Sequence, residues 1–361
     1  MKIGIDLTWL KPKISGGIES FAHNLLEGFT LVDSHNNFIL FLSKDNANYF
    51  NKYIEKENFK SYICPCLSSK IGQRILWQNL FFNKILKQQN IDICFTPFYN
   101  KPLLKCKGIK TITVIHDLQA LHYPEYFSSL KYNWLRFAWK RTLITSDKIV
   151  AISNFVKNDI IDKYGIKFKN KIQVIYNPIK ITQQNNILFP NKVPYYYTIC
   201  SKFRHKNFKT LILLMEKIKK DYPQLPHLLY VTGMASFPTE IEQLINQKGL
   251  KENIKLTGFI SNSERDKLIQ GAEYFLFPSL FEGFGMPVIE SLMLGTPVIT
   301  TKTTSIPEVS CNKAIYVDNP TDVNEWINAI VKNKPIKKRI EFPQYSVTHI
   351  AKQYIDLFKK L

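Results

Sequence analysis

The chain of 361 residues contains no run of about 18 uninterrupted apolar residues, so no transmembrane helix is expected. Its six cysteines, at positions 64, 66, 94, 106, 200 and 311, make no CxxC pair and no Cys/His ligand spacing. That argues against structural zinc and leaves free thiols in a reducing cytosol as the default. Glycine, at 14, and proline, at 18, are too few for a collagen-like or low-complexity chain. The start, Met1-Lys2-Ile3-Gly4-Ile5-Asp6, meets an acid at once, unlike a signal peptide, so a cytoplasmic location is expected. Acids are scarce: 29 Asp and Glu against 49 Lys and Arg, a net charge of +20. Such an excess tolerates or needs an anionic partner: nucleic acid, an anionic membrane, or a phosphorylated substrate. A lysine-rich proteome is the plain alternative.

What is present is ordinary for a globular protein, with 45% hydrophobic and 22% charged residues. At roughly 150 residues per domain, two domains are expected. Short apolar runs alternate with amphipathic segments. Strands are predicted at 2–7, 38–43, 92–97, 111–117, 148–153 and 172–177, and several are apolar on both faces, as in a buried parallel sheet. Helices are predicted at 17–31, 72–87, 128–145 and 154–164. The polar, proline-closed stretch 180–194 is read as a linker. The pattern then restarts, with strands at 195–200, 228–232, 254–259, 274–278, 297–300 and 314–317. Helices are predicted between them at 207–220, 238–247, 263–271, 287–294 and 322–331, and a last one at 347–360. The fold class is therefore α/β, two Rossmann-like doubly wound domains with a cleft between them, at 1–185 and 186–344. Ligands are expected beyond the carboxyl ends of the strands.

The segment from Phe277 to Glu290 carries the most chemistry. An apolar strand ends at Pro278, a loop with Glu282, Gly283 and Gly285 follows, and Pro287 suits the first turn of a helix. Glycines let backbone approach a ligand, and the free N–H groups of a helix start form an anion site. Glu282 and Glu290 supply acceptors for sugar hydroxyls, so a polyol phosphate suits the arrangement.

These residues resemble a known family. Glu282 and Glu290 form Glu-x7-Glu, and Gly295-Thr-Pro-Val-Ile and Ser305-Ile-Pro-Glu-Val309 continue the match. The pattern is similar to the nucleotide-sugar-dependent glycosyltransferases of group 1, family 4, which have the two-domain GT-B fold and retain anomeric configuration. The resemblance covers nearly the whole chain. It implies an acceptor-binding first domain, rejoined by the closing helix 345–361, and a nucleotide-sugar-binding second domain.

Further positions take their roles from that resemblance. Gly16-Gly17 opens a helix after the first strand, where similar enzymes place the donor diphosphate and the acceptor. His116 ends a strand and matches the family's sugar-contacting histidine. His116-Asp117-Leu118, followed by His122-Tyr-Pro-Glu125, especially resembles mannosyltransferases using GDP-mannose. Arg204 and Lys206, beside Lys202 at a helix start, are expected to clamp the diphosphate. Cys200-Ser201 stands where many members have Gly-Arg, and Arg204 is the candidate replacement. Gly233 and Gly258-Phe259 correspond to turns that flank the nucleotide base in similar proteins. Glu282 and the backbone of Phe284, Gly285 and Met286 are assigned to the sugar, and Glu290 to the ribose. No Asp-x-Asp triplet occurs, in agreement with a site that needs no metal or other cofactor.

The positive charge leans toward the first domain: residues 1–180 carry 26 Lys and Arg against 13 acids. Two basic, aromatic, amphipathic segments lie there, 71–86 and 132–141. In the first, Ile71, Ile75, Leu76, Leu80 and Phe81 recur at helical spacing and are expected to face the core. A second reading lays such residues, with Lys and Arg, on an anionic bilayer, as a peripheral contact on the inner face of the membrane that suits a lipid-linked acceptor.

The expectation is thus a hexosyltransferase moving mannose from GDP-mannose onto a glycan acceptor, in lipopolysaccharide, O-antigen or other cell-surface polysaccharide synthesis. A UDP-sugar donor on the same fold is the nearest alternative. A nucleic-acid-binding protein is remote, because no recognition module is visible and only the charge suggests it. A dinucleotide dehydrogenase fails because Gly16-Gly17-Ile18-Glu19 is not G-x-G-x-x-G.

Overall fold

A computed structural model describes residues 1–12, 16–99, 101–181 and 193–361. The expected linker at 180–194 lies almost wholly outside these described residues. The chain divides into two compact units, one of Met1–Ile179 with Pro343–Leu361 and one of Lys180–Phe342.

The first unit is built on a seven-stranded parallel sheet. Its strands are β1 (Lys2–Asp6), β2 (Asn37–Ser43), β3 (Phe59–Cys64), β4 (Ile93–Thr96), β5 (Lys110–Ile115), β6 (Lys148–Ala151) and β7 (Ile172–Val174), in the order β3-β2-β1-β4-β5-β6-β7. The order reverses direction between β1 and β4, the position where open α/β sheets hold ligands. The helices are α1 (Gly17–Val32), α2 (Asn51–Ile54), α3 (Ile71–Trp77), α4 (Asn83–Gln88), α5 (Gln119–His122), α6 (Ser129–Thr145) and α7 (Asn154–Tyr164). Strand β3 was not among the predicted strands. It is an edge strand whose middle residues, Lys60, Ser61 and Ile63, face water, so it lacks the apolar run that marks its neighbours.

The second unit repeats the plan with six parallel strands: β8 (Tyr196–Ile199), β9 (Leu229–Thr232), β10 (Ile254–Gly258), β11 (Tyr274–Phe277), β12 (Val298–Thr301) and β13 (Ile315–Val317). Their order is β10-β9-β8-β11-β12-β13, so direction reverses between β8 and β11. Its helices are α8 (Phe208–Asp221), α9 (Thr239–Gln247), α10 (Asn262–Gly271), α11 (Met286–Leu294), α12 (Ile306–Val309) and α13 (Val323–Lys332). The core under α8 and α13 is apolar, with Leu211, Met215 and Trp326 fully covered.

The last helix, α14 (Val347–Lys359), belongs to the first unit. It packs on α1 so closely that a Cβ at Gly28 would meet the Val347 carbonyl, and would come within 2.8 Å of the Ala351 Cβ. Phe358 stands 5.9 Å from Phe29 and 5.7 Å from Phe95, ring centre to ring centre.

One expectation of the first unit is overturned. Ile71, Leu76, Leu80 and Phe81 are not core: they are 51%, 62%, 62% and 50% exposed, and Ile75 is only half-buried. Arg74, Gln78 and Phe82 are buried in their place. The cause is Asp6, fully buried at the end of β1. Its carboxylate accepts from the Thr8 N–H at 3.1 Å, the Thr8 hydroxyl at 2.7 Å and the Gln78 amide at 2.9 Å. A buried carboxylate without such donors would cost several kcal/mol, on the order of 3 or more. The helix therefore turns its polar residues inward. A π turn over Gln78–Phe82 joins α3 to α4 and widens the spiral, so that positions 74, 78 and 82 stay on one face at four-residue spacing. The apolar stripe is left outside.

Candidate functional site

The carboxyl edge of the second sheet brings two loops together at the β8/β11 reversal. The turn after β8 is a single 3₁₀ turn, Arg204–Lys206, and Asn207 follows it in the left-handed region, at φ 52°. The loop after β11 runs from Pro278 to Gly285. The Leu280 N–H donates to the His205 carbonyl at 2.7 Å, which ties the two loops. That tie sets Lys206 against Glu282, with Nζ 2.5 Å from Oε1 and both side chains largely covered. The Glu282 loop is fixed from its other side by the turn after β12. There the Thr304 hydroxyl accepts from the Glu282 N–H at 3.1 Å, and the Ser305 hydroxyl donates to the Glu282 carbonyl at 2.9 Å.

The loop ends at Gly285, whose φ of 83° is a conformation that only glycine adopts without strain. Met286 starts α11 directly after it, with Pro287 in the first turn, so the first N–H groups of a nine-residue helix follow the Lys206–Glu282 pair along the chain. Phe284 and Met286 are buried, at 3% and 7% exposure, so their side chains are packed inward rather than offered to a ligand.

Glu290 lies one turn further and is 4% exposed. Its Oε2 is 3.5 Å from Nη1 of Arg265 on α10. Arg265 also donates to Asp266 Oδ1, from Nε at 3.1 Å and from Nη2 at 2.8 Å. Burial pushes the Glu290 carboxyl above its ordinary range, and the Arg265 guanidinium opposes that rise. Glu282 thus faces Lys206, whereas Glu290 shares Arg265 with Asp266, which holds it more closely. Arg265 and Asp266 were not among the candidate residues. No motif contains them; only the packing of α10 on α11 brings them to Glu290.

Arg204 does not join Lys206. Its guanidinium lies 3.8 Å from Glu240 of α9, and the side chain is 76% exposed. It lines, with Lys202, Lys209, Met234, Ile241 and Leu244, a cavity of about 510 Å³ at the starts of α8 and α9. Gly233 closes the turn after β9 at φ 106°, where a Cβ would meet the Cys200 carbonyl at 2.7 Å. Gly258 ends β10, and Phe259 beside it is 72% exposed.

In the first unit, Gly16 caps α1 at φ 58° and Gly17 is its first residue; the Gly16 carbonyl accepts from the N–H groups of Glu19 and Ser20. His116 follows β5 and is 7% exposed. Its Nε2 lies 2.8 Å from the Pro97 carbonyl, an acceptor only, so Nε2 carries the hydrogen. Burial lowers its pKa to about 4, and the imidazole is neutral near pH 7. Among the described residues no cluster of three or more His, Cys, Asp or Glu could hold a metal ion, and no helix is long and apolar enough to cross a membrane.

Comparison with known proteins shows the family and the fold. Residues 180–346 match the model of the family "Glycosyl transferases group 1", and residues 15–183 match "Glycosyltransferase Family 4". The chain belongs to the group 1 glycosyltransferases. This glycosyltransferase is 29% identical over 297 residues, 80% of its own length and 79% of the relative's, to the O-antigen chain mannosyltransferase RfbU of Salmonella typhimurium. Among solved structures it is similar to the sucrose-phosphate synthase of Thermosynechococcus elongatus, with a TM-score of 0.73 at 16% identity over 100% of this chain and 98% of that one. It is likewise similar to Anabaena HepE in complex with UDP and glucose, with a TM-score of 0.71 at 16% identity over the whole of both chains. The fold is GT-B, with each unit Rossmann-like.

Proposed function

We propose that this glycosyltransferase is a retaining hexosyltransferase that moves mannose from GDP-mannose onto a glycan acceptor, in the synthesis of O-antigen or another cell-surface polysaccharide. The observation that carries the reading is the Lys206–Glu282 pair joined by a glycine turn to the start of α11. Lys206 keeps N–H bonds beyond the one given to Glu282, and these meet the donor's diphosphate. The backbone N–H groups after Gly285 add the positive end of the helix dipole. Glu282, held at both its N–H and its carbonyl, presents its carboxylate to hydroxyls of the transferred sugar. Glu290, beside Arg265, accepts from the ribose hydroxyls. His116 is neutral and offers the sugar a hydrogen-bonding rather than a charged partner. Gly16 and Gly17 leave the α1 start open to an anion, and Arg204 extends the positive rim.

In the proposed reaction the bond from the sugar's anomeric carbon to the diphosphate oxygen breaks. A bond to the acceptor hydroxyl forms on the same face, and the acceptor's proton passes to the departing phosphate oxygen. Charge developing on that oxygen is stabilised by Lys206 and the α11 dipole, and the proposal assigns no metal or other cofactor to the step. Mannose as the sugar rests on the likeness to RfbU and on the His116–Glu125 pattern. The likeness to HepE with UDP and glucose favours a second reading, a UDP-sugar donor on the same site.

Slow hydrolysis of a panel of nucleotide sugars tests the proposal. GDP-mannose should be consumed fastest, and Lys206→Ala should lower the rate on the order of 100-fold. Faster consumption of a UDP-sugar establishes the second reading. Full activity in both Lys206→Ala and Glu290→Ala would refute the site.

A further inference from the structure

The first unit carries an apolar surface that the described residues leave exposed. Leu76, Leu80 and Phe81 point outward because Arg74 and Gln78 are drawn in toward Asp6. The surface does not stop at that helix. The Leu103 N–H donates to the Asn79 side chain at 2.8 Å, and the Asn83 amide donates to the Leu104 carbonyl at 3.3 Å. On the far side, the Arg141 guanidinium donates to the Leu103 carbonyl at 2.9 Å. The loop around Leu103 and Leu104 is thus fastened between the π turn and the last turns of α6. Leu104 is 64% exposed, and Phe137 and Ile144 of α6 are 47% and 49% exposed. The exposed apolar side chains of these three hydrogen-bonded pieces make one band.

Around it lie exposed Lys84, Lys87, Lys107 and Lys140. Between Glu57 and Asp147 the chain has thirteen Lys or Arg and only three acids, Asp92, Asp117 and Glu125. Asp147, next to the band, is spent on Lys105 at 2.6 Å. Apolar side chains ringed by unopposed lysines suit an anionic bilayer, where the former enter the headgroup boundary and the latter meet lipid phosphate. A second copy of the chain is the poorer occupant, because a self-complementary contact sets these lysines against their own counterparts.

We propose that this band, built from the π turn, the Leu103–Leu104 loop and α6, docks the glycosyltransferase onto an anionic membrane surface. It acts independently of the donor identity and of the Lys206–Glu282 site. The test is flotation of the full chain with vesicles of mixed phosphatidylglycerol and phosphatidylcholine, against pure phosphatidylcholine. Binding should require phosphatidylglycerol and weaken with salt. The triple variant Leu80→Ser, Phe81→Ser, Leu104→Ser changes only exposed side chains and should bind about tenfold less. Lys84→Glu with Lys87→Glu, which leaves every apolar residue in place, should also lose about tenfold. No binding at low salt, or equal binding by both variants and the wild type, would overturn the proposal. So would a concentration-dependent dimer in sedimentation that the triple variant abolishes.

Discussion

The two units solve the same problem differently at the carboxyl edges of their sheets. Each sheet reverses direction near its middle and each buries acids there. In the first unit Asp6 is met by a hydroxyl, a backbone N–H and an amide, with the buried Arg74 guanidinium also favouring its charged form, and His116 stays neutral against a carbonyl. In the second unit both acids face cations directly, Lys206 at 2.5 Å and Arg265 at 3.5 Å. Donors already committed to a buried carboxylate, and a neutral imidazole, have little to offer an anion. An ion pair has donors and charge that a phosphate can share. The contrast explains why the donor's charged end is assigned to the second unit, and why the first unit's excess charge is found on its outside.

The largest effect should come from breaking a charge pair in the second unit. Arg265→Ala leaves buried Glu290 and Asp266 without their shared cation and should cost on the order of 3–5 kcal/mol in chemical denaturation at neutral pH. The cost should shrink in acid, because protonated Asp266 and Glu290 carboxyls need no cation. A change below about 1 kcal/mol at neutral pH would contradict the reading of this cluster as charged.

Next comes the neutral histidine of the first unit. His116 in the folded chain has a pKa near 4 against 6.5 unfolded. A base whose folded pKa is depressed contributes stability above the unfolded value and loses it as pH falls toward the folded one. Stability should therefore drop by about 3 kcal/mol between pH 6.5 and 4 on account of His116. Comparing the pH profile of His116→Gln with the wild type isolates this share, and parallel profiles would contradict it.

A smaller effect is expected at Gln78. Its removal in Gln78→Ala takes one neutral donor from Asp6 while two remain, so the loss should be about 1–3 kcal/mol, less than for Arg265→Ala. If the two losses were equal, the distinction between a carboxylate held chiefly by neutral donors and one held by a cation would fail.

How much of this could be read in advance depended on how local each signal is. The alternation of elements was legible because buried parallel strands such as Phe38–Leu42 are continuous apolar runs. Edge strand β3 was not, because half of it faces water. The loop from Glu282 to Gly285 and the helix after it were legible because turn, glycine and proline lie next to one another. Arg265 was hidden, since it meets Glu290 only through helix packing. The parting of Arg204 from Lys206 was hidden too: two residues apart in a 3₁₀ turn, they point to different neighbours. The inverted helix at 71–88 was misread for the plainest reason. Its apolar spacing is a good rule for core helices, but a buried carboxylate some 70 positions away, at Asp6, outweighs it.

The central claim is that Lys206 meets the diphosphate of the donor. Titration calorimetry of GDP and of GMP, with the wild type and with Lys206→Ala, tests it directly, because the two ligands differ by one phosphate. The account predicts that the variant weakens GDP by at least about tenfold and GMP much less. Equal affinity of wild type and variant for GDP, or equal losses for GDP and GMP, would contradict it.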